Sequence, residues 1–185
     1  MYSDKEIVEG CLSNDLKMQQ ALYDRYSGRM YVVCLRYASG QLEAEDILQE
    51  AFVKVYRKMD TYREEASLAQ WIKRVVVNTA LNHQRSRLYM YPMVDVENLH
   101  GLADQENILS GFSYQELLEF IQELPSGCRV IFNLYAIEGY GHKEIAEMLG
   151  VSEGTSKSQY ARAKKLLQQQ LAESEKRVYG RRRIQ

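Results

Sequence analysis

Little in this chain favours a β-rich fold, a disulfide framework or a membrane span. Of its 185 residues two are proline and 11 glycine, too little turn chemistry for many short strands. The three cysteines (Cys11, Cys34, Cys128) are odd in number, far apart and form no CxxC pair. They read as reduced, semi-buried thiols of a cytosolic protein. No window approaches the run of about 18 apolar residues that a spanning helix needs. The segment Met1-Tyr2-Ser3-Asp4-Lys5-Glu6 has no basic stretch leading into an apolar one, so no secretory signal is expected. His83, His100 and His142 have no Glu or Cys at ligand spacing on a shared helix face, and no P-loop, GxSxG or Cys–His constellation occurs. An enzyme is therefore not expected, nor any metal or cofactor.

An excess of positive charge is also lacking: 24 Lys and Arg face 25 Asp and Glu, a net charge of −1. Nucleic-acid-binding domains are usually basic. The arrangement tells more than the total. Residues 1–60 sum to −2, residues 61–91 to +3, residues 92–125 to −7 without a single Lys or Arg, and residues 126–185 to +5. Two basic blocks around an acidic one are a pattern expected of polyanion contacts.

What is present is helical periodicity. Ser3 and Glu6 form an S-x-x-E capping box ahead of Ile7, Val8 and Leu12, the start signal of a short helix. Leu22, Tyr26, Met30, Val33 and Tyr37 recur at steps of three and four, predicting a helix from about Asp15 to Ala38. Glu43, Glu45 and Asp46 open a third helix, to about Met59, with acids at its positive end. Ser67 caps a fourth, with Leu68, Trp71, Ile72, Val75, Val76 and Thr79 on one face. Residues 92–112 lose the period and read as a linker, about 70 Å long if fully extended and on the order of 25 Å as a coil. Beyond Ser113, Leu117, Leu118, Ile121 and Leu124 fit one helix, ended by Pro125. Val130, Ile131, Leu134 and Ile137 fit another, ended by Gly139. Two more are expected at about 142–149 and 153–172. The fold class is all-α: two small helical domains joined by a flexible acidic linker.

The stretch His142 to Ala161 has the marks of a helix-turn-helix. Ala146 is the small residue at the helix crossing, and Gly150, four residues on, suits a turn of positive φ. Ile145, Leu149 and Val151 supply apolar contacts, and Ser152 caps the second helix. That helix offers Thr155, Lys157, Ser158, Gln159 and Arg162 to a groove, with Lys164 and Lys165 for phosphates. The plainer alternative is a helical hairpin with a solvated basic face. Ser156 stands where such units usually place Val or Ile; if inward, its hydroxyl needs a partner or costs roughly 1–3 kcal/mol. The second basic face lies on the fourth helix, where Arg74, Asn78, Asn82 and Arg85 align opposite the Trp71/Val75 stripe. With Tyr62, Trp71, Tyr89 and Tyr91 nearby, it suits unstacked bases, although Trp71 alone reads more as core than as a stacking platform.

Together these stretches resemble an extracytoplasmic-function (ECF) sigma factor of bacterial RNA polymerase, the two-domain branch of the sigma-70 family. Glu43-Ala-Glu-Asp-Ile-Leu-Gln-Glu-Ala-Phe-Val-Lys-Val-Tyr56 is similar to the family's core-binding helix. Trp71-Ile-Lys-Arg-Val-Val-Val-Asn-Thr-Ala-Leu-Asn82, with Arg85 and Arg87, resembles its promoter-melting helix. Leu124-Pro125, Arg129 to Tyr135 and Glu138-Gly-Tyr140, running into the helix-turn-helix, resemble its C-terminal domain.

The resemblance implies a region 2-like domain over 1–91, an acidic linker over 92–112, a region 4-like domain over 113–175 and a basic tail over 176–185. It implies core-polymerase contacts from Asp46, Gln49, Glu50, Phe52 and Val53, on the largest subunit's clamp helices, and a further contact with the flap. The plainer alternative is that Phe52 and Val53 are core and the acids only solubilise. It implies −10 contacts from Tyr62, Arg63, Trp71, Lys73, Arg74, Asn78, Asn82 and Arg85, with a flipped base captured near Tyr62. It implies −35 contacts from Ser152, Glu153, Thr155, Lys157, Ser158, Gln159, Arg162 and Lys165. The acidic linker would run as a nucleic-acid-like strand through the polymerase channels, and an anti-sigma factor is an expected partner. Many members carry Val in place of Ser156, Arg in place of Gln159 and Asp in place of Asn82. Because Gln suits adenine edges and Arg guanine, promoter preference is not expected to follow relatives. A monomeric, cytoplasmic transcription factor without a small-molecule substrate is expected, held at the inner membrane face if its anti-sigma factor sits there. The alternative is a stand-alone helix-turn-helix regulator. The tail Lys176-Arg177 and Arg181-Arg182-Arg183 reads as a frayed end, with phosphate attraction as the lesser role.

Overall fold

The computed structural model describes the backbone of residues 2–90 and 113–182, and side chains over 2–84 and 113–174. The expected linker 92–112, the side chain of Arg85 and the side chains of the 176–185 tail lie outside the described residues. Among the described residues all regular structure is helical, and no helix is long and apolar enough to cross a membrane. The chain divides into two compact units, Met1–Gln84 and Arg85–Gln185.

The first unit is built from α1 (Asp4–Leu12), α2 (Leu16–Tyr37), α3 (Gln41–Arg57) and α4 (Leu68–Met90), with a 3-10 turn at Met59–Thr61. The Ser3 box forms as read: Glu6 N–H donates to Ser3 Oγ and Ser3 N–H to the Glu6 carboxylate at 2.7 Å. The Ser3 N–H, and then the Ser3 hydroxyl donating to the same carboxylate, hold Glu6 below the usual carboxylate range. Asn14 takes φ 60° in the turn to α2, a conformation asparagine tolerates. The two helices leave it so close together that a Cβ on Gly10 would lie 2.5 Å from Met18 Cβ. Asp15 then caps α2 by accepting from Lys17 N–H at 2.8 Å. Ile7, Leu22, Tyr37, Ile47, Val55, Leu68, Ile72 and Val76 fill the core at 0–1 % exposure.

The second unit comprises α5 (Tyr114–Glu123), α6 (Ser126–Phe132), a π-helical segment (Asn133–Ile137), α7 (His142–Leu149) and α8 (Glu153–Arg182). Ser113 and Glu116 form a second reciprocal capping box. Leu118, Leu124, Cys128, Val130, Ile131, Leu134, Ile145 and Ala163 are buried. The helix expected through Ile137 runs as α only to Phe132. One wider π turn adds a residue and rotates the residues after it by about 100°, which leaves Ile137 37 % exposed. Gly150 has φ 69° and ψ 36°, the left-handed cap that glycine supplies at no Cβ cost. α8 continues to Arg182, beyond the expected 172. Gln168 to Tyr179 contains no proline or glycine, and the single Gly180 near the end weakens a helix by only about 1 kcal/mol without breaking it.

Candidate nucleic-acid interface

Two helix faces and the surface of α3 are built on these units. On α4, Ser67 caps the helix: its Oγ accepts from Gln70 N–H at 3.3 Å and its own N–H donates to Gln70 Oε1 at 3.2 Å. Burial of Leu68, Ile72, Val76, Val77, Ala80 and Leu81 fixes the helix rotation. Arg74, Asn78 and Asn82 consequently share the exposed face, while Lys73 and Trp71 are half-buried. The Trp71 ring leans on Tyr62 with centroids 5.6 Å apart and planes at 53°. Tyr62 donates its hydroxyl to Ala66 O at 3.0 Å, closing a loop that leaves Arg63 exposed. Desolvation, and then the Glu64 charge, push the Tyr62 phenol up. Glu64 is held at φ 58°, a conformation that costs a residue other than glycine about 1–3 kcal/mol. An open cleft of about 520 Å³ lies between this loop and the start of α1, with Lys5, Val8, Tyr62 and Glu65 among its walls.

On α3, Asp46, Gln49, Glu50 and Val53 are exposed. Leu42, which the sequence reading passed over, is 80 % exposed one turn before Asp46. With 42, 46, 49 and 53 at steps of four, three and four, apolar ends bracket a polar middle. Phe52 corrects the expectation: it is 2 % exposed and packs edge-on against Tyr23 at 4.8 Å, with Tyr56 on its other side. It is core, because α3 turns the 48/52/55 stripe inward. Glu50 is engaged within the unit, accepting from Lys54 at 2.5 Å and paired with His83 of α4. The Lys54 bond, with His83 adding to it, holds the Glu50 carboxyl below its usual range.

On α8, Ser152 Oγ accepts from Thr155 N–H at 2.9 Å and so caps the helix. Glu153, Lys157 and Lys165 are exposed, while Ser158 and Arg162 are half-buried. Lys157 pairs with Glu153 at 2.6 Å, and that bond depresses the Glu153 pKa. Lys164 lies 5.1 Å above the Tyr160 ring. Thr155 and Gln159 correct the sequence reading. They are 7 % and 4 % exposed, turned onto the unit's interior rather than toward a groove. Thr155 Oγ1 bonds Ser152 Oγ at 2.8 Å, and Gln159 Oε1 accepts from the Cys128 thiol at 3.0 Å. Ser156 is wholly buried, and its partner is the His142 ring at 2.9 Å rather than a backbone carbonyl. Among the described residues no group of three His, Cys, Asp or Glu is placed to hold a metal ion.

Comparison with known proteins adds family information to this geometry. Residues 22–88 match the model of Sigma-70 region 2, and residues 114–167 that of Sigma-70, region 4. The RNA polymerase sigma-H factor of Pseudomonas aeruginosa is 28% identical over 180 residues, covering 91% of this chain and 93% of its own length. The ECF RNA polymerase sigma-E factor of Escherichia coli K12 is 26% identical over 177 residues, covering 89% and 92%. Among solved structures, the sigma factor RpoE bound to the anti-sigma factor NepR from Bartonella quintana superposes with a TM-score of 0.52. It is 20% identical, covering 83% of this chain and 96% of that one.

Proposed function

This chain belongs to the sigma-70 family of RNA polymerase sigma factors, in its extracytoplasmic-function branch, and from that premise we propose that it binds core polymerase and directs promoter-specific initiation. One observation carries the reading. A single chain holds, in family order, a melting-type helix with exposed Arg74, Asn78 and Asn82 and a helix-turn-helix with exposed Glu153, Lys157 and Lys165. A sigma factor is an initiation factor and not an enzyme; the chemistry is the polymerase's.

In this reading residues 1–91 grip polymerase and the −10 element, 92–112 thread its channels, and 113–175 read the −35 element as duplex. Leu42, Asp46, Gln49, Glu50 and Val53 face the clamp helices. Tyr62, Arg63, Arg74, Asn78, Asn82 and Arg85 handle the −10 single strand, whose phosphates the cations neutralise and whose bases the amides and rings address. The flipped base enters beside Tyr62. Glu153, Lys157, Ser158, Arg162 and Lys165 face the −35 groove: amine and guanidinium donors suit guanine, and the carboxylate suits cytosine N4. The factor works in the cytoplasm. A protein of this fold is held by an anti-sigma factor, and we extend that class of partner here, at the inner membrane face if the partner is anchored there.

Run-off transcription with purified core polymerase tests the reading. Addition of this chain should confer initiation at defined promoters. Duplex binding without any initiation would identify a stand-alone regulator instead.

A further inference from the structure

The seat of α8 is polar over its first two turns. Facing the unit's interior are Thr155, Ser156 and Gln159, at 7 %, 0 % and 4 % exposure, before Ala163 restores an apolar contact. Each finds a specific partner: Ser152 for Thr155, His142 for Ser156 and Cys128 for Gln159. Apolar contact is non-directional, so a helix seated only by it can rotate slightly at small cost. Hydrogen bonds weaken steeply with angle and tie the helix to one rotation. Of the three partners, only His142 comes from α7, the other arm of the helix-turn-helix. Its ring is itself fixed from behind, stacked on Tyr135 at 4.2 Å with planes 12° apart. Tyr160 of α8 closes the cluster at 5.8 Å from His142 and 4.5 Å from Tyr135.

We propose that His142 is a positioning residue for duplex reading. Through the Nδ1 to Ser156 bond and its stack on Tyr135, it sets the rotation of α8 and thereby the presentation of Lys157, Ser158 and Arg162. The inference rests on the reading that α8 enters the −35 groove. With the ring proton on Nε2, Nδ1 accepts from the Ser156 hydroxyl. A second proton makes Nδ1 a donor and turns that hydroxyl away, toward the Ser152 carbonyl, which already accepts from Ser156 N–H at 3.1 Å. The surroundings oppose the second proton. The ring lies at the positive end of α7 with Lys157 and Lys143 near it, Glu153 as the counter-charge, and the neutral rings of Tyr135 and Tyr160 against it. Burial first, and Lys157 second, lower the His142 pKa. The latch is thus set in the neutral form.

The test uses holoenzyme reconstituted with the full chain and measures the preference for a promoter with an intact −35 element over one with it scrambled. Melting temperature is recorded for each variant. His142→Ala and Ser156→Ala should each lower the preference about tenfold, the scale of one directed hydrogen bond. The double variant should be no worse than either single one, and His142→Asn, which keeps an acceptor near Nδ1, should retain it. Wild-type preference should fall only once pH drops below the ordinary imidazole range, because the folded His142 pKa is lowered, and His142→Asn should not share that dependence. Additive losses, a preference that tracks melting temperature alone, or no loss in either variant would overturn the proposal. Lys157→Ala and Arg162→Ala are the control. If they too leave the preference unchanged, it is the assignment of α8 to the −35 element that fails.

Discussion

The helices α4 and α8 both present a polar face outward, yet they are seated in opposite ways. Under the first turns of α4 lie Leu68, Ile72 and Val76, and then Ala80, all apolar and at 0–1 % exposure; the buried polar residues Thr79 and Gln84 come in its later turns. Under the first turns of α8 lie a threonine, a serine and a glutamine, each hydrogen-bonded. An apolar seat contributes stability in proportion to buried area. A satisfied polar seat contributes little net energy but narrows geometry. The helix read here as handling pliable single strand rests on the first kind. The helix read as docking into a rigid groove rests on the second.

Removing the apolar seat should have the largest effect. Ile72→Ala, at a residue with no exposure, should cost about 2–5 kcal/mol, visible as a lowered thermal midpoint. A cost under about 0.5 kcal/mol would mean the α4 seat is not what holds the first unit together. Gln159→Ala should cost less, about 1–3 kcal/mol, because it leaves the Cys128 thiol facing a void; denaturant midpoints would measure this. Ser156→Val tests the same seat from another side. The added methyls gain burial while Nδ1 of His142 loses its donor, so stability should stay within about 1 kcal/mol of the parent. A large loss would mean the latch holds the fold itself.

Just below about pH 6.5, above the range where the lowered carboxylates titrate, acidity should act on the α8 seat through His142. Because folding lowers the His142 pKa, the unfolded chain takes up the proton first as pH falls below about 6.5. The stability contribution is full above that value, declines as pH falls toward the folded pKa, and is flat below it. Melting curves of parent and His142→Asn across this window should diverge, the parent losing more. Parallel curves would remove His142 from the titration. The smallest stability effect belongs to the exposed face of α4. Asn78→Ala should change stability by less than about 0.5 kcal/mol and core-polymerase binding not at all, yet weaken initiation.

Legibility in the sequence follows the same division. Ser3 with Glu6 and Gly150 act through local chemistry, and each stands in the structure where its pattern places it. Asp15 and Ser113 with Glu116, taken from the sequence only as helix bounds, cap by the same local chemistry. The exposed row Arg74, Asn78 and Asn82 was legible as a row, but not its setting. Trp71 and Val75 lie half-buried beside it, three residues before Arg74 and Asn78, and the buried stripe is Ile72, Val76 and Ala80. Phe52 was misread as a polymerase contact, since a phenylalanine near exposed acids fits a partner face as well as a core; only its burial and packing on Tyr23 decide. Thr155 and Gln159 were misplaced because polar residues on a basic helix read as outward. Ser152 stands at cap spacing three residues before Thr155, so that pairing was open to the sequence, whereas Cys128, the partner of Gln159, does not betray itself by spacing. The pairing of His142 with Ser156 is likewise tertiary, and the π turn that exposes Ile137 leaves no helix-breaking residue to mark it.

The central claim is that two separately seated faces read two separate promoter elements. It is tested most directly by single-round transcription with holoenzyme carrying the parent chain, Asn78→Ala or Arg162→Ala. The templates are the parent promoter and versions with either the −10 or the −35 element altered. The Asn78→Ala defect should vanish on the −10-altered template and persist on the −35-altered one, and the Arg162→Ala defect should show the reverse. Equal defects of both variants on every template would contradict the claim.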